Sequence, residues 1–439
     1  VQILAALILS NIYIIGFLIG YLKKKDLLTP LCFFNLWMFL ITVPRLITID
    51  EIIYNGQPVT DSGIFLYLVF TIIAVLTINV SMIIFNNINS GQIISRKDSN
   101  NGNNASGQSY KKTIAILLFS VGALSKLYLI NVNGGLAYIW SNLDKRSFML
   151  SGSSYIDSLE ILMVIGISLM LDCYFESNKR KYLIMTISMF LIGAVLLIAF
   201  GARAPLLEAI ITLLFIINYR SNKISLSTIL KPKIFGVILL CVLFIVMMPM
   251  LRFEDNKNLY SNPIEWIKSA AEDVDAIFEE ISSVDKDVFT YSYFIESEKW
   301  LGSNYIDLLY TPIPRTLFPA KPPSDDGVYL ANLMHGYDVE PSIPYKLIPY
   351  QSSVPFSSSG IMYANFGVIG LIIGSILLGY IYQKIYINMV KHNYSIYRII
   401  LYQFIIFKFG FSNQEILGSI IPIVIILTVE KVFYRRIKI

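Results

Sequence analysis

The sequence predicts an all-α polytopic membrane protein with about eleven transmembrane helices and one large, partly helical extracytoplasmic loop before the ninth span. Three observations predict it. Of 439 residues, 55% are hydrophobic and only 15% are charged, with a mean hydropathy of +0.62; charged residues in soluble domains run nearer a quarter. Apolar runs of roughly span length recur along the chain between short polar stretches. Clusters of Lys and Arg fall in alternate connections, which is how topology is written into a membrane protein. Length is therefore no guide to domain number.

In chain order, the apolar segments lie at about 1–22, 29–49, 64–86, 113–131, 156–175, 183–200, 205–219, 234–250, 360–385, 396–411 and 416–433. The seventh and tenth fall short of the ~20 residues a perpendicular span needs, and read as half-helices or as spans extended into polar flanks. No cleavable signal peptide is evident, and the chain opens in apolar sequence without a methionine, as if a few residues preceded it. The organisation that follows is a transmembrane bundle at 1–250 (about eight spans), an extracytoplasmic loop at 251–355, and a C-terminal bundle at 356–439 (about three spans). Residues 87–112, rich in Asn, Ser and Gly, read as a flexible cytoplasmic linker within the first bundle. In the long loop, Ile264, Ile267, Ala271, Val274, Ile277, Phe278, Ile281 and Val284 recur at helical spacing among charged residues. They predict an amphipathic helix on the bundle or at the interface.

Orientation follows from the basic clusters. Lys23–Lys25, Arg96/Lys97 with Lys111/Lys112, Lys179–Lys181, Arg220 to Lys233, Lys384/Lys391/Arg398 and Lys431 to Lys438 all fall on one side. That side is cytoplasmic, which puts the N-terminus and the long loop outside and the C-terminus inside. One misplaced span would set such clusters on both sides. The net charge of +5 thus reflects topology and does not imply nucleic acid. Cys32, Cys173 and Cys241 lie in three separate apolar segments, so neither a disulfide nor a zinc site is expected.

Charges within or beside apolar segments cost a few kcal/mol each and are functional candidates. Here they are Arg45, Lys126, Arg203, Glu208 and Lys408. Arg203 lies in Gly201-Ala-Arg-Ala-Pro205 at an expected outer boundary, and Pro205 suits the first turn of a helix. A helix N-terminus beside a guanidinium suits a phosphate, although a snorkelling interfacial arginine has the same signature. Glu208, about a turn away, can be its partner.

In the long loop, Arg315 and Lys321 flank a Phe-Pro segment whose prolines restrict the backbone. Asp325 and Asp326 follow. His335 is a candidate general base, whereas His392 falls on the cytoplasmic side and reads as structural. Asp273-Val-Asp275 and Asp285-Lys-Asp287 imitate the Asp-x-Asp of metal-dependent sugar transferases. Residues two apart on a helix do not face each other, so these are expected to be solvated helix faces. Asp50-Glu51 is a weaker alternative base or metal site. The chain has no phosphate-cradling Gly-x-x-x-x-Gly-Lys-Ser/Thr run and no His-Glu-x-x-His pair. A large outer loop without a nucleotide motif points to a substrate that arrives on a lipid.

Three stretches carry a resemblance. Gly201-Ala-Arg-Ala204, Ile313-Pro-Arg-Thr-Leu-Phe-Pro-Ala-Lys-Pro322 and Ser359-Gly-Ile-Met-Tyr-Ala-Asn-Phe-Gly367 resemble the Wzy-type oligosaccharide repeat unit polymerases of O-antigen, capsule and exopolysaccharide synthesis. The likeness extends to the topology and to an Asn365-Phe-Gly start of the helix that follows the loop. It implies a cofactor- and metal-independent, inverting glycosyltransferase of the membrane-embedded GT-C-like kind in the bacterial cytoplasmic membrane. Donor and acceptor would both be undecaprenyl-diphosphate-linked oligosaccharides, with a chain-length regulator and a flippase as pathway partners. The leaving diphosphate must be stabilised as the anomeric bond breaks, a role for Arg203 and Arg315 with Lys321, Arg45 and Arg252 as helpers. Tyr345, Tyr350 and Trp300 offer stacking surfaces to sugars, and Asn365 is a further binding candidate. Relatives place an acidic residue just before the Asn-Phe-Gly tract. Here Met362-Tyr-Ala stands there, which leaves the base open among Asp325, Asp326, Glu340 and His335. The alternatives are an O-antigen ligase, which would lean on His335, and a lipid-linked glycan flippase, which would show repeat symmetry that this chain lacks.

Overall fold

The computed structural model describes residues 1–49, 52–53, 57–58, 60–90, 105–143, 149–150, 153–202, 204–221, 224–225, 227, 278–279, 281–314, 317–342 and 352–437. Its elements are α1 (Gln2–Lys24), α2 (Pro30–Thr48), a minimal antiparallel pair β1 (Ile52–Ile53) and β2 (Gln57–Pro58), α3 (Asp61–Ser90), α4 (Ala105–Val132), α5 (Gly135–Ser141), α6 (Ile161–Ser177), α7 (Arg180–Leu197), α8 (Ala204–Arg220), α9 (Val284–Glu296), α10 (Ser303–Tyr310), α11 (Gly327–Met334), α12 (Ser358–Lys391), α13 (Ile396–Lys408) and α14 (Asn413–Ile437). Short helical turns, Ser154–Asp157 and Ser158–Glu160, lead into α6.

Among the described residues, seven helices are long and apolar enough to cross a membrane: Gln2–Lys24, Pro30–Thr48, Asp61–Asn86, Gln108–Val132, Ser158–Ser177, Arg180–Leu197 and Ser358–Lys391. The protein is an all-helical, multi-pass membrane protein. The two segments expected to be short are short, with α8 at 17 residues and α13 at 13. The segment at 234–250, the linker core at 91–104 and most of the amphipathic stretch at 264–284 lie outside the described residues.

The chain forms two compact units. The first comprises Val1–Ile93, Asp275–Ile387 and Ile405–Ile420. In it, Thr29 and Pro30 start α2 with proline at the first helical position, where its missing N–H is harmless. Gly16 and Gly20, one turn apart on α1, let α2 approach closely. A Cβ on Gly16 would lie 2.5 Å from the Asn35 Oδ1, and one on Gly20 would lie 2.9 Å from the Cys32 Sγ. Buried Asn35 and Asn79 then exchange amide hydrogen bonds of 2.9 and 3.0 Å, joining α2 to α3.

One apolar core runs through this unit, from Tyr13, Leu46, Tyr67 and Phe70 to Tyr291, Phe294, Trp300, Tyr329 and Tyr363. Residues assigned by sequence to a loop therefore build core. Two corrections follow. Trp300 is not a sugar-stacking platform, because its ring packs edge-on against Phe294 and Phe356 inside the core. Asp285 and Asp287 are not solvated: both are buried on α9. Residues two apart point roughly 200° apart on a helix. The premise that they do not face each other holds, but α9 is enclosed on both sides.

The second unit comprises Ile94–Val274, Asn388–Phe404 and Ile421–Ile439. In it α6 packs on α4 and α7. Of the charges expected to be expensive, Lys126 is paired here, and other buried charges are too. Lys126 bonds Asp157 and Glu160 at 2.6 Å each, and Asp172, fully buried, accepts from Lys111 and Arg220 beside Glu176. Arg398 bonds Glu430 at 2.8 Å. Pairing of this kind offsets much of the burial penalty and gives Lys126 a structural role.

Candidate functional site

A cavity of about 380 Å³ opens within the first unit, a size at the lower end of ligand sites. Its wall has helical periodicity. α2 contributes Phe33, Phe34, Trp37 and Met38; α3 contributes Tyr67, Thr71, Ala74, Val75 and Ile78; α12 contributes Leu371, Gly374, Ser375, Leu378 and Tyr382. Each set occupies one face of its helix. On α12 it extends from 371 to 382, about 16 Å along the axis at 1.5 Å per residue. Ile406, Phe407, Phe409 and Phe411 close another side, and Trp37 meets Phe407 edge-on at 5.2 Å. This wall is mainly apolar and aromatic.

A polar collar borders it, made of Ser282, Ser283, Lys286, Asp287, Ser357, Ser358, Ser359 and Glu415. Two helix starts build the collar. Ser357 caps α12, its Oγ accepting the Gly360 N–H at 2.9 Å, and the same hydroxyl donates to Asp287 Oδ1 at 2.5 Å. Ser412 and Glu415 form a reciprocal capping box at the start of α14: the Glu415 N–H donates to Ser412 Oγ and the Ser412 N–H to Glu415 Oε2, each at 3.1 Å. Ser358 ties the two starts together by donating to Glu415 Oε2 at 3.1 Å while accepting the Phe411 N–H at 3.2 Å. Burial pushes the Asp287 carboxyl up to about 6, against the opposing pull of the Ser357 hydroxyl. Burial also raises Glu415, opposed by its capping bonds.

Those site residues proposed from sequence that are described lie in this unit but off the cavity. Arg45 is buried and bonds both oxygens of Asp285 at 2.8 Å, with Glu279 at 3.9 Å. Lys321 is buried and its Nζ donates to the carbonyls of Thr311 and Ile313 at 2.7 and 2.9 Å, holding the turn at 311–313. Asp325 caps α11 by accepting the Gly327 N–H at 2.9 Å. Asp326 is fully buried and accepts from the Asn413 backbone at 2.8 Å and the Asn304 amide at 3.3 Å, so it anchors the start of α14. Burial pushes its carboxyl up to about 7, with the Asn413 N–H opposing. His335 ends α11, its Nδ1 2.6 Å from the Ala331 carbonyl.

Asn365 is buried. Its side chain accepts the Gly302 N–H at 2.8 Å, while Trp300 and Leu301 donate to the Ala364 and Asn365 carbonyls. The Asn-Phe-Gly tract thus pins the turn at 300–302. Immediately after it, Gly367 breaks α12 at φ 62°, ψ −149°, a backbone state suited to glycine. None of these residues lines the cavity. Arg203, Arg252, Arg315 and Tyr345, with Asp50, Glu51, Asp273, Asp275 and Tyr350, lie outside the described residues. Glu340 is exposed.

Sequence patterns set Asp287 aside as a solvated helix face and did not single out Ser357 and Glu415. Two local signals pointed to them: Ser357-Ser-Ser-Gly360 ahead of an apolar run is an N-cap pattern, and Ser412-Asn-Gln-Glu415 is a capping box. Nothing local to Asp287 announces its burial. A protein-family model described as "Putative O-antigen polymerase" matches residues 8–295. No curated protein and no solved structure matches the chain.

Proposed function

Because that match covers well over half of its length, the chain belongs to the O-antigen polymerase family, and from this premise we propose that it polymerises undecaprenyl-diphosphate-linked oligosaccharide repeat units at the outer face of the cytoplasmic membrane. Membership makes it an integral membrane enzyme of polysaccharide biosynthesis of the glycosyltransferase type. The cavity is the observation that best supports the finer reading. An apolar aromatic wall beneath a collar of hydroxyls and carboxylates suits an amphiphile whose isoprenoid tail and sugar headgroup differ sharply in polarity.

In the proposed reaction, a hydroxyl of one unit's non-reducing-end sugar attacks the anomeric carbon of the growing glycan, and the lipid diphosphate departs with inversion. The departing charge needs cations, and Arg203 and Arg315 are the proposed ones on sequence grounds. A ligase that leaned on His335 fits less well, since that ring is engaged at the end of α11 and does not line the cavity.

The test is purified protein with synthetic lipid-linked repeat units, read as a ladder of products on a gel. Wild type should elongate. Arg203→Ala and Arg315→Ala should each abolish polymer at normal protein levels. Absence of longer products from wild type that binds its substrate would sink the polymerase reading, and wild-type ladders from both variants would sink the assignment of the arginines.

A further inference from the structure

The collar holds two carboxylates in very different circumstances. Glu415 has structural work, because its Oε2 closes the capping box of α14 and receives the Ser358 hydroxyl. Asp287 has no equivalent. Among the described residues no cation forms an ion pair with it, although its neighbour Asp285 takes both arms of Arg45 on the other side of α9. It is only 4% exposed and lines the cavity.

The N-cap of α12 does not need Asp287, because Ser357 already accepts the Gly360 N–H. A buried carboxylate without an ion pair is costly, and Asp287 offsets that with hydroxyl bonds from Ser357 and Ser283 and with the charge of nearby Lys286. Gly360 makes the space for it: a Cβ there would stand 2.7 Å from Asp287 Oδ1. Asp325 and Asp326, by contrast, lie off the cavity, capping α11 and anchoring α14.

Resting on the polymerase reading, we propose that Asp287 is the general base of the glycosyl transfer. Its carboxylate takes the proton from the acceptor sugar's hydroxyl as that oxygen bonds the donor's anomeric carbon. The bond from that carbon to the phosphate oxygen breaks at the same time, and its electron pair leaves with the lipid diphosphate. The proton then passes from Asp287 to solvent. Ser357 is a positioning residue that holds the Oδ1 oxygen of Asp287 at the cavity wall. A carboxyl pushed by burial up to about 6 suits the task, being ionised at neutral pH yet more basic than an ordinary aspartate.

The experiment uses the full-length protein with synthetic lipid-linked repeat units, measuring turnover against pH and substrate binding separately. Asp287→Asn should bind the lipid-linked unit as wild type does and lose on the order of 100-fold or more in turnover. Wild type should lose activity on the acid side with a midpoint near 6. Ser357→Ala removes a bond that favours the ionised carboxylate, so its acid limb should move to higher pH. The charged or titratable groups that face Asp287 are Lys286, Glu415, Tyr13, Tyr67 and Tyr291. None of them is altered in that variant. Turnover by Asp287→Asn within twofold of wild type overturns the proposal, as does an unmoved acid limb in Ser357→Ala. The second result decides if Asp287→Asn does not fold. Wild type that makes no polymer overturns this proposal together with the polymerase reading, whereas active wild type and an indifferent Asp287→Asn overturn the base assignment alone.

Discussion

Arg45 is the residue for which the expectations from sequence and from structure separate most sharply. As an intramembrane cation it was a candidate for binding diphosphate. In the structure its side chain and that of Asp285 are each 2% exposed and share two N–H···O bonds of 2.8 Å. Unit charges about 4 Å apart attract by roughly 4 kcal/mol at an effective dielectric of 20, and removing both from solvent offsets most of that gain. Removing one partner alone strands the other. Arg45→Met and Asp285→Leu should therefore each lower stability by about 3–5 kcal/mol, while the two combined should come back to within about 1–2 kcal/mol of wild type. The assay is unfolding in mixed micelles titrated with sodium dodecyl sulfate, read by far-UV circular dichroism, as a double-mutant cycle. A structural pair gives a large coupling energy, and the double variant keeps polymerising. If Arg45→Met instead unfolds like wild type and loses polymer, the pair is not structural and Arg45 belongs to the substrate.

Two further predictions bear on the scaffold. Replacing Asn35 or Asn79 by Leu removes both amide bonds between α2 and α3 and should cost about 0.6–2 kcal/mol in the same assay; no change in either variant would mean that the bonds contribute nothing to the bundle. Asp326 predicts a pH dependence. Burial raises its carboxyl from 3.8 to about 7, so the folded protein holds a proton that the unfolded chain releases. The stability it contributes is fully present below about pH 4 and lost as pH rises through 7, up to roughly 4 kcal/mol at 1.36 kcal/mol per pKa unit. Asp287 and Asp307, each raised to about 6, add a loss of the same sign at lower pH. Asp326→Asn should therefore flatten the fall in melting temperature between about pH 4 and 7, and an undiminished fall in that variant would refute the assignment.

The sequence by itself determined the class of molecule and the seven apolar stretches that, among the described residues, form helices long enough to cross a membrane. Hydropathy works over windows of about twenty residues, and the backbone's need to satisfy its own hydrogen bonds in lipid leaves the helix as the simplest answer. The helix ends were also local matters, written in Thr29-Pro30, Ser357 to Gly360 and Ser412 to Glu415. The Asn365-Phe-Gly367 tract, read from sequence as the start of the helix after the loop, lies instead at a break inside α12, which begins at Ser358, and Asn365 serves there by pinning the 300–302 turn.

The partners of Arg45, Lys321 and Asp326 came only from tertiary structure. Arg45 and Asp285 are 240 residues apart, and no local pattern joins them. Asp285 and Asp287 look alike in sequence, two acids on one short helix, and the rule that they face apart suggested solvent. Packing on both sides of α9 gave one of them an arginine and the other a cavity. Burial and partnership are set by what long-range packing brings alongside a residue. For that reason a segment that reads as a polar loop supplies both part of the core and the carboxylate proposed to carry the chemistry.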